Sequence, residues 1–297
     1  MPLKLNTIKI STSVIAIVAS LLLNACVVTE DNNSNPENSP KNITPTKASI
    51  SPRAENQYLS QEQAFKRSAR VSNVDYQLNF NLSGEESFSA SSSVNFDLTD
   101  NNSALTLDLN NATITSLAIN GKDLNGEQIQ ANYNNWFISL SAELLKQGRN
   151  KVVVNFTREH STNGEGLHRF KDPVDGKVYL YSHFEPAAAQ KMFALFDQPD
   201  LKATFEMTVS APKDWTVFSA TKESKVTEQG DFKTWSFPKS LKLSPYNFSM
   251  HAGPYQMWQD NRGKYPLRLF ARQSVANQIT PKHWFTYTKQ GFEFFDN

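Results

Sequence analysis

Apolar and polar side chains alternate strictly from Val74 to Leu82, and this pattern constrains the fold more than any other feature of the sequence. A repeat of two residues is typical of a β-strand with one buried face and one solvated face. Short segments with the same alternation continue to about Arg272, separated by turn residues such as Asn120-Gly121. The sequence therefore predicts a mainly β fold, an antiparallel sandwich or a saddle-like antiparallel sheet.

A helix is predicted at each end of this β region. Ser60 followed by Gln63 fits a capping box, and good helix formers come after it. Near the other end, Thr280 is a suitable N-cap and Pro281 suits the first helical position. Such a helix carries a mostly aromatic stripe, formed by Trp284, Phe285, Thr288, Phe292 and Phe295. We expect this stripe to dock on the sheet or to meet a further part of the protein.

The charge balance and the residue types exclude several classes of function. The 297 residues include 30 Lys and Arg against 29 Asp and Glu, so no strong field attracts nucleic acid. Cys26 is the single cysteine, which excludes an intrachain disulfide and a zinc site of four cysteines. No His-Glu-x-x-His, P-loop or dinucleotide-binding motif is present. We therefore expect neither a nucleic-acid partner nor a bound metal in this sequence.

The first 25 residues have the pattern of a bacterial lipoprotein signal peptide. Lys4 and Lys9 precede an apolar segment, 13–23, that is too short to span a bilayer comfortably. This segment runs into Leu-Asn-Ala-Cys, in which Cys26 is the expected lipid acceptor. An ordinary secretory signal with a chance cysteine is the alternative interpretation.

Residues 26–58 are predicted to be a disordered tether. They are dominated by Asn, Ser, Pro, Thr and Lys and lack an apolar period, so they cannot offset the entropy lost on ordering. The two residues after Cys26 are valines, and neither is the aspartate that retains lipoproteins in the inner membrane. We expect the protein to be anchored by lipid in the outer membrane of a Gram-negative cell.

One acidic residue, Glu185, stands at the end of a predicted strand, just before Pro186 and three alanines. We expect a short helix to follow, with Pro186 in its first turn and the Glu185 carboxylate near its positive end. An ionised carboxylate at a sheet edge can bind an ammonium group. The alternative roles for Glu185 are an N-cap and a surface acid in a salt bridge. The Asp-Pro and Asp-Gly pairs of segment 172–176 predict a hairpin that brings this strand to a defined rim.

The sequence around Glu185 resembles a known family. Segment 166–209, GLHRFKDPVDGKVYLYSHFEPAAAQKMFALFDQPDLKATFEMTV, resembles the N-terminal domain of the aminopeptidase N family of zinc metallopeptidases. In that family a Phe-Glu-Pro-x-x-Ala-Arg segment leads to Phe-Asp-x-Pro. SPYNFSMHAGPY and SQEQAFKRSARVSNVDYQLNF resemble further blocks of the same family, so the resemblance extends from about Ser60 to the end of the sequence.

The resemblance implies a fold and two substrate-binding residues. The implied fold is a saddle-shaped, mainly antiparallel β domain that covers a thermolysin-like catalytic domain. The glutamate that matches Glu185 binds the free α-amino group of the substrate in this family. The residue two positions earlier is commonly a glutamine that lines the pocket for the first side chain, and here it is His183. The arginines expected after the alanine are replaced by Gln190 and Lys191, which weakens any charge-pair role there.

The resemblance also implies a larger enzyme. The Gly-x-Met-Glu-Asn motif and the zinc ligands of the family would lie downstream, and neither is present here. We therefore expect a β domain over residues 59–272 and the start of a truncated catalytic domain over 273–297. The complete enzyme would carry zinc, whereas this sequence would bind no metal and have no catalytic residue of its own.

Three functions remain open from the sequence. The first is the substrate-recognition domain of a lipid-anchored zinc aminopeptidase that acts on peptide N-termini, inactive without the missing catalytic domain. The second is a non-catalytic lipid-anchored β domain with a binding or structural role. The third, a glycan-binding sandwich, depends only on aromatic residues such as Trp136 and Trp258.

Overall fold

The computed structural model describes residues 58–296. The predicted signal peptide 1–25, the lipid acceptor Cys26 and nearly all of the predicted tether 26–58 lie outside the described residues. Within residues 58–296, no helix is long and apolar enough to cross a membrane.

The strands of the described region alternate in burial as the sequence predicts. In β1 (Val71–Asn81), the apolar side chains from Val74 to Phe80 are buried, and the residues between them face outward or are half-buried. The other strands are β2 (Ser87–Leu98), β3 (Leu105–Asp108), β4 (Thr113–Ile119), β5 (Lys122–Leu124), β6 (Phe137–Leu140), β7 (Gly148–Glu159), β8 (Gly166–Lys171), β9 (Val178–His183), β10 (Thr204–Pro212), β11 (Thr216–Ser219), β12 (Lys225–Gln229), β13 (Phe232–Phe237), β14 (Met250–Gly253), β15 (Gln256–Asp260) and β16 (Leu267–Ala271). The expected mainly β fold is confirmed.

Two sheets form most of the architecture. The larger sheet has eight strands in the order β12-β13-β10-β1-β2-β7-β4-β5, and the smaller has four in the order β11-β14-β9-β8. Neighbouring strands are antiparallel except for β1 and β10, which pair in parallel with Tyr76 opposite Phe205. β15 pairs with β16 and β3 with β6 in two additional ribbons.

The helices of residues 58–296 are α1 (Gln61–Arg70), α2 (Gly126–Asn132), α3 (Gln273–Ala276) and α4 (Pro281–Asp296). The predicted capping box of α1 is confirmed, because the Ser60 hydroxyl accepts from the Gln63 N–H at 3.3 Å and the Gln63 side chain accepts from the Ser60 N–H at 3.1 Å. α4 begins at Pro281, also as predicted. Its Phe285 is buried, whereas Trp284 is 56% and Phe295 85% exposed, so much of the aromatic stripe is uncovered within the described residues.

A loop between β9 and β10 fills the core with aromatic side chains. Phe193 in this loop is fully buried. Its ring lies 5.7–6.5 Å, between centroids, from those of Tyr76, Phe80, Phe184, Phe205 and Phe248. Edge-to-face contacts of this kind add to the stability gained from burial. The segment that follows Glu185 is therefore part of the core and not a surface loop.

Candidate functional site

The candidate site lies at the end of β9. His183 is the last residue of this strand, and Glu185 follows two residues later; both side chains are exposed. Phe184 between them is only 1% exposed, and its ring packs on Phe193 and Phe248. Because neighbouring residues of extended chain point to opposite sides, burial of Phe184 turns His183 and Glu185 together toward solvent.

The predicted hairpin is confirmed and positions this strand end. β8 and β9 pair antiparallel, with Gly166 opposite His183 and Lys171 opposite Val178. Asp172 in the connecting turn is 1% exposed. It accepts hydrogen bonds from the Val174 N–H at 2.9 Å, from the Ser274 hydroxyl at 2.5 Å and from the Arg272 guanidinium. These donors, the Ser274 hydroxyl foremost, hold the pKa of Asp172 below its usual value.

The prediction of a helix with Pro186 in its first turn is wrong. Residues 185–188 form a turn, and only a 3-10 helix of three residues, Ala189–Lys191, follows it, with Ala188 as its N-cap. The reason is that the Gln190 N–H donates to the Asp197 carboxylate at 3.0 Å instead of a carbonyl one turn back. Glu185 is therefore not an N-cap, and so short a helix gives no dipole that would favour its ionised form.

The Glu185 carboxylate also has no ion pair or hydrogen bond within residues 58–296. Lys191, the next basic residue along the chain, is instead paired with Glu165. The hydrogen bond and charge of Lys191 lower the pKa of Glu165, and the charge of His183 adds to this effect. From the sequence, we expect little charge-pair role for Lys191. Its ion pair with Glu165 corrects this expectation.

The Glu165–Lys191 pair joins two segments that pack closely. Gly166 has a φ of +69°, and a Cβ atom there would lie 2.8 Å from the Lys191 Cβ and 3.0 Å from its carbonyl oxygen. Only glycine adopts this conformation freely and allows this approach. The segment before β8 is therefore fixed against the 3-10 helix, and the rim beside Glu185 consists of His183, Glu165 and Lys191.

No group of three or more His, Cys, Asp and Glu side chains suited to a metal ion occurs within residues 58–296. The resemblance places the zinc ligands downstream of this region, and no catalytic step is assigned to a metal here. The rim at the end of β9 carries one exposed carboxylate, that of Glu185, with no ion pair or hydrogen bond in residues 58–296.

Sequence reasoning missed the buried polar network beneath this rim. Arg67, Asp108 and Asp197 are 4%, 1% and 8% exposed. In the sequence, Arg67 is one of the helix formers after Ser60, and segment 196–200, Phe-Asp-Gln-Pro-Asp, is typical of a turn with Phe196 buried and Asp197 as its cap. Phe196 is 0% exposed, which confirms its burial. The sequence contains a signal for the burial of Asp197, since this residue directly follows four apolar residues, 193–196.

The mainly β fold and the Phe-Glu-Pro turn after β9 agree with the β domain that the resemblance implies. Residues 72–247 match the Peptidase M1 N-terminal domain, and the chain belongs to this family. Aminopeptidase N of Streptomyces lividans is 33% identical over 244 residues, which cover 80% of this chain and 27% of that protein.

More distant relatives match a shorter part. Probable M1 family aminopeptidase 1 of Encephalitozoon cuniculi is 32% identical over 133 residues, 44% of this chain and 15% of that protein. Glutamyl aminopeptidase of Rattus norvegicus is 30% identical over 137 residues, 44% of this chain and 14% of that protein. The chain thus matches at most 27% of the length of these three relatives.

Proposed function

We propose that this chain is the substrate-recognition domain of a zinc aminopeptidase that releases N-terminal residues from peptides. The observation that carries the proposal is the exposed, unpaired carboxylate of Glu185 at the end of β9, within a chain of the M1 family. A peptide N-terminus presents an ammonium group, and a carboxylate with no internal partner is free to accept its hydrogen bonds. His183 beside it is proposed to line the pocket for the first side chain.

In this proposal the chain itself binds and orients the peptide N-terminus. Zinc, when bound in the complete enzyme, would supply a nucleophilic hydroxide and polarise the scissile carbonyl. Its ligands would belong to the catalytic domain, which is the proposed partner of this chain. The uncovered aromatic residues of α4, such as Trp284, fit a surface that packs on that domain.

Binding of the amine can be tested on the chain itself. We expect leucinamide to shift the amide NMR signals of the turn that carries Glu185, and N-acetyl-leucinamide, which has no free amine, to leave them unchanged. Glu185→Gln should lose the response, whereas Asp200→Asn, which removes another exposed carboxylate of the loop between β9 and β10, should keep it. Equal responses to the two ligands would contradict the assignment.

In an enzyme that contains this domain, Glu185→Gln should weaken substrate binding by about 1.5–3 kcal/mol, the range for a hydrogen bond to a charged group. This corresponds to a rise in KM of roughly 10-fold to 150-fold. Unchanged KM and unchanged selectivity for a free amine would return Glu185 to the role of an ordinary surface acid.

Inactivity of the isolated chain is part of the proposal. The 297-residue chain with added zinc should not hydrolyse an aminoacyl-p-nitroanilide. Chelator-sensitive turnover would refute this. Measurements of amine binding and of hydrolysis also separate the aminopeptidase domain from a non-catalytic lipoprotein. Amine binding by the chain, with no catalytic partner encoded downstream of it, would favour the non-catalytic lipoprotein.

A glycan-binding role through Trp136 and Trp258 has little support, because both are half-buried.

The lipid anchor is proposed on the sequence alone. Cys26 would be acylated after removal of residues 1–25, which would hold the domain at the outer membrane of a Gram-negative cell. Labelling with a fatty-acid analogue should depend on Cys26, and Cys26→Ser should release the protein from the membrane fraction. Labelling that persists in this variant would exclude the assignment.

A further inference from the structure

A polar cavity of about 720 Å³ lies where the first residues of β2 meet the last residues of β7. All twelve residues that line it are polar or charged, and eight of them are Ser, Thr or Asn. Its charges are nearly balanced, because Arg158 lies near the charge of Glu159 and Lys191 is paired with Glu165. The cavity therefore offers many hydrogen-bonding groups and no large excess of charge.

Two side chains of this cavity have hydrogen-bonding capacity that the described residues do not use. His160 is 9% exposed, and its Nδ1 is buried without a hydrogen-bond partner within residues 58–296. Burial lowers the pKa of this imidazole to about 4, although a hydrogen bond with the Gly84 backbone opposes the change. Arg158 donates through Nε to the Asn110 carbonyl at 2.8 Å and through Nη1 to the Glu159 carbonyl at 3.1 Å, whereas its Nη2 makes no hydrogen bond within residues 58–296. A hydroxyl group, which both donates and accepts, can satisfy either side chain.

Two rows of uncharged side chains lead away from this cavity across the outward face of the eight-stranded sheet. We call them the two polar rows. Each row pairs residues across β13, β10, β1, β2, β7 and β4, about 4.8 Å from one strand to the next. Their twelve members are all Ser, Thr or Asn: Ser236, Thr208, Asn79, Ser91, Asn155 and Ser116 in the first row, and Thr234, Ser210, Asn81, Ser89, Thr157 and Thr113 in the second.

The middle of the two polar rows is concave and uncharged. A depression of about 520 Å³ lies over β10, β1, β2 and β7, and it shares Thr157 with the cavity. Thr208, Asn79 and Ser91 line this depression, and their side chains form no hydrogen bond within residues 58–296. Charged residues are 20% of the whole chain and concentrate at protein surfaces, so about two of twelve outward positions would be charged if residue types were evenly distributed. None is charged here, and the cavity and the two polar rows together form what we call the polar groove.

Hydrogen-bonding groups without excess charge suit a neutral ligand that has many hydroxyl groups. Sugar hydroxyl and acetamido groups donate and accept hydrogen bonds, as Ser, Thr and Asn side chains do. An ionic ligand would meet no region of opposite charge in the two polar rows, and an apolar ligand would remove water from these groups without replacing its hydrogen bonds. Six strands at the usual spacing span about 24 Å, which fits an extended chain of several sugars better than a single sugar.

We propose that the polar groove binds an uncharged, extended glycan chain, with one sugar in the cavity against His160 and the next sugars on the two polar rows. The glycan would run across the strands, because the rows do. The amine-binding residues Glu185 and His183 take no part in this site, since neither lines the polar groove. The site also differs from the sequence-based hypothesis of glycan binding through Trp136 and Trp258, which lie outside the polar groove.

The test is an NMR titration of the ¹⁵N-labelled 297-residue chain with cellotetraose and, separately, with the N-acetylglucosamine tetramer. Only the second carries acetamido groups, so the two titrations show which sugar groups are recognised. We expect saturable shifts with at least one of them, with a Kd in the millimolar range, at amides of the polar groove. Thr208→Ala should weaken binding roughly two- to tenfold, the range for one neutral hydrogen bond. The matched control is Thr204→Ala, on the same face of β10 but outside both rows, and it should leave the Kd unchanged.

His160→Phe tests the cavity, because phenylalanine keeps a ring that can pack against Phe88 and removes both nitrogens. We expect binding to weaken by about fivefold or more. The proposal is overturned if neither tetrasaccharide shifts the amides of the polar groove in the wild-type chain, a measurement that needs no variant. It is also overturned if His160→Phe and Thr208→Ala both bind as tightly as the wild type. Leucinamide should bind the wild type and His160→Phe equally, so the amine-binding function and the glycan site stand or fall separately.

Discussion

Replacement of Arg67 by methionine tests whether the buried ion pair holds the loop after β9. Methionine keeps much of the length of the side chain and removes the cation, together with its hydrogen bonds to Gln198 and to the Thr106 carbonyl. The Asp108 carboxylate then loses its guanidinium partner at a position where its own side chain is 2% exposed. Removal of one member of a buried pair costs about 3–5 kcal/mol, because the remaining charge stays desolvated.

The size of the loss has a limit that depends on pH. Asp108 can escape the uncompensated charge by binding a proton, which costs about 1.4 kcal/mol for each pH unit above the usual aspartate pKa of about 3.9. This cost is about 4 kcal/mol at pH 7 and about 1.5 kcal/mol at pH 5. We therefore expect Arg67→Met to lower the free energy of unfolding by about 4 kcal/mol at pH 7 and by clearly less at pH 5.

Equilibrium unfolding in urea, followed by tryptophan fluorescence, measures both values through the midpoint of the transition. Lys66→Met is the matched control, since Lys66 is in the same helix and forms an exposed pair with Glu62 that contributes at most about 0.5 kcal/mol. The double variant Arg67→Met/Asp108→Asn should recover part of the loss. A loss below 1 kcal/mol at pH 7, or a loss equal at the two pH values, would refute the reasoning.

Three further changes test other parts of the core and the rim. Phe193→Ala removes a fully buried ring and should cost about 3–5 kcal/mol in the same urea assay, whereas an effect below 1 kcal/mol would contradict its central place. Asp172→Asn should lower Tm at pH 7, and the difference should shrink as pH falls below about 4: the pKa of Asp172 is lowered in the folded state, so its contribution is present in full above the unfolded pKa near 4 and is lost as pH falls through the folded pKa. A Tm difference of the same size at pH 7 and at pH 3 would speak against this. Gly166→Ala should destabilise by more than 1 kcal/mol because of its positive φ and the close Lys191, and a neutral result would show that this approach relaxes easily.

The features that the sequence predicted correctly are local. The alternation along β1 places its apolar residues in the core because strand geometry alone sets that period. The Ser60 cap and the turn before β9 follow from groups within a few residues of each other. Each of these depends on side chains whose partners are close in sequence, so one segment is enough to predict them.

The features that the sequence did not predict depend on distant partners. The helix expected after Glu185 fails because the Asp197 carboxylate, seven residues after Gln190, accepts the Gln190 N–H. Arg67 and Asp108 are 41 residues apart, and nothing in either local pattern indicates that both are buried. The parallel pairing of β1 with β10 is likewise decided by which strands the core brings together. Long-range polar contacts of this kind override local propensity.

Glu185 has no ion-pair partner within the described residues, and the pairing of the basic residues explains why. Lys191 is held by Glu165, Arg67 is held by Asp108 far below the surface, and Arg272 is held by Asp172 at the hairpin turn. Of these cations Lys191 is the one in the rim, and it already has its carboxylate, so its charge is not available to Glu185. Under the proposed function, the exposed Glu185 carboxylate accepts the hydrogen bonds of an ammonium group brought in by another molecule, as a peptide N-terminus would be.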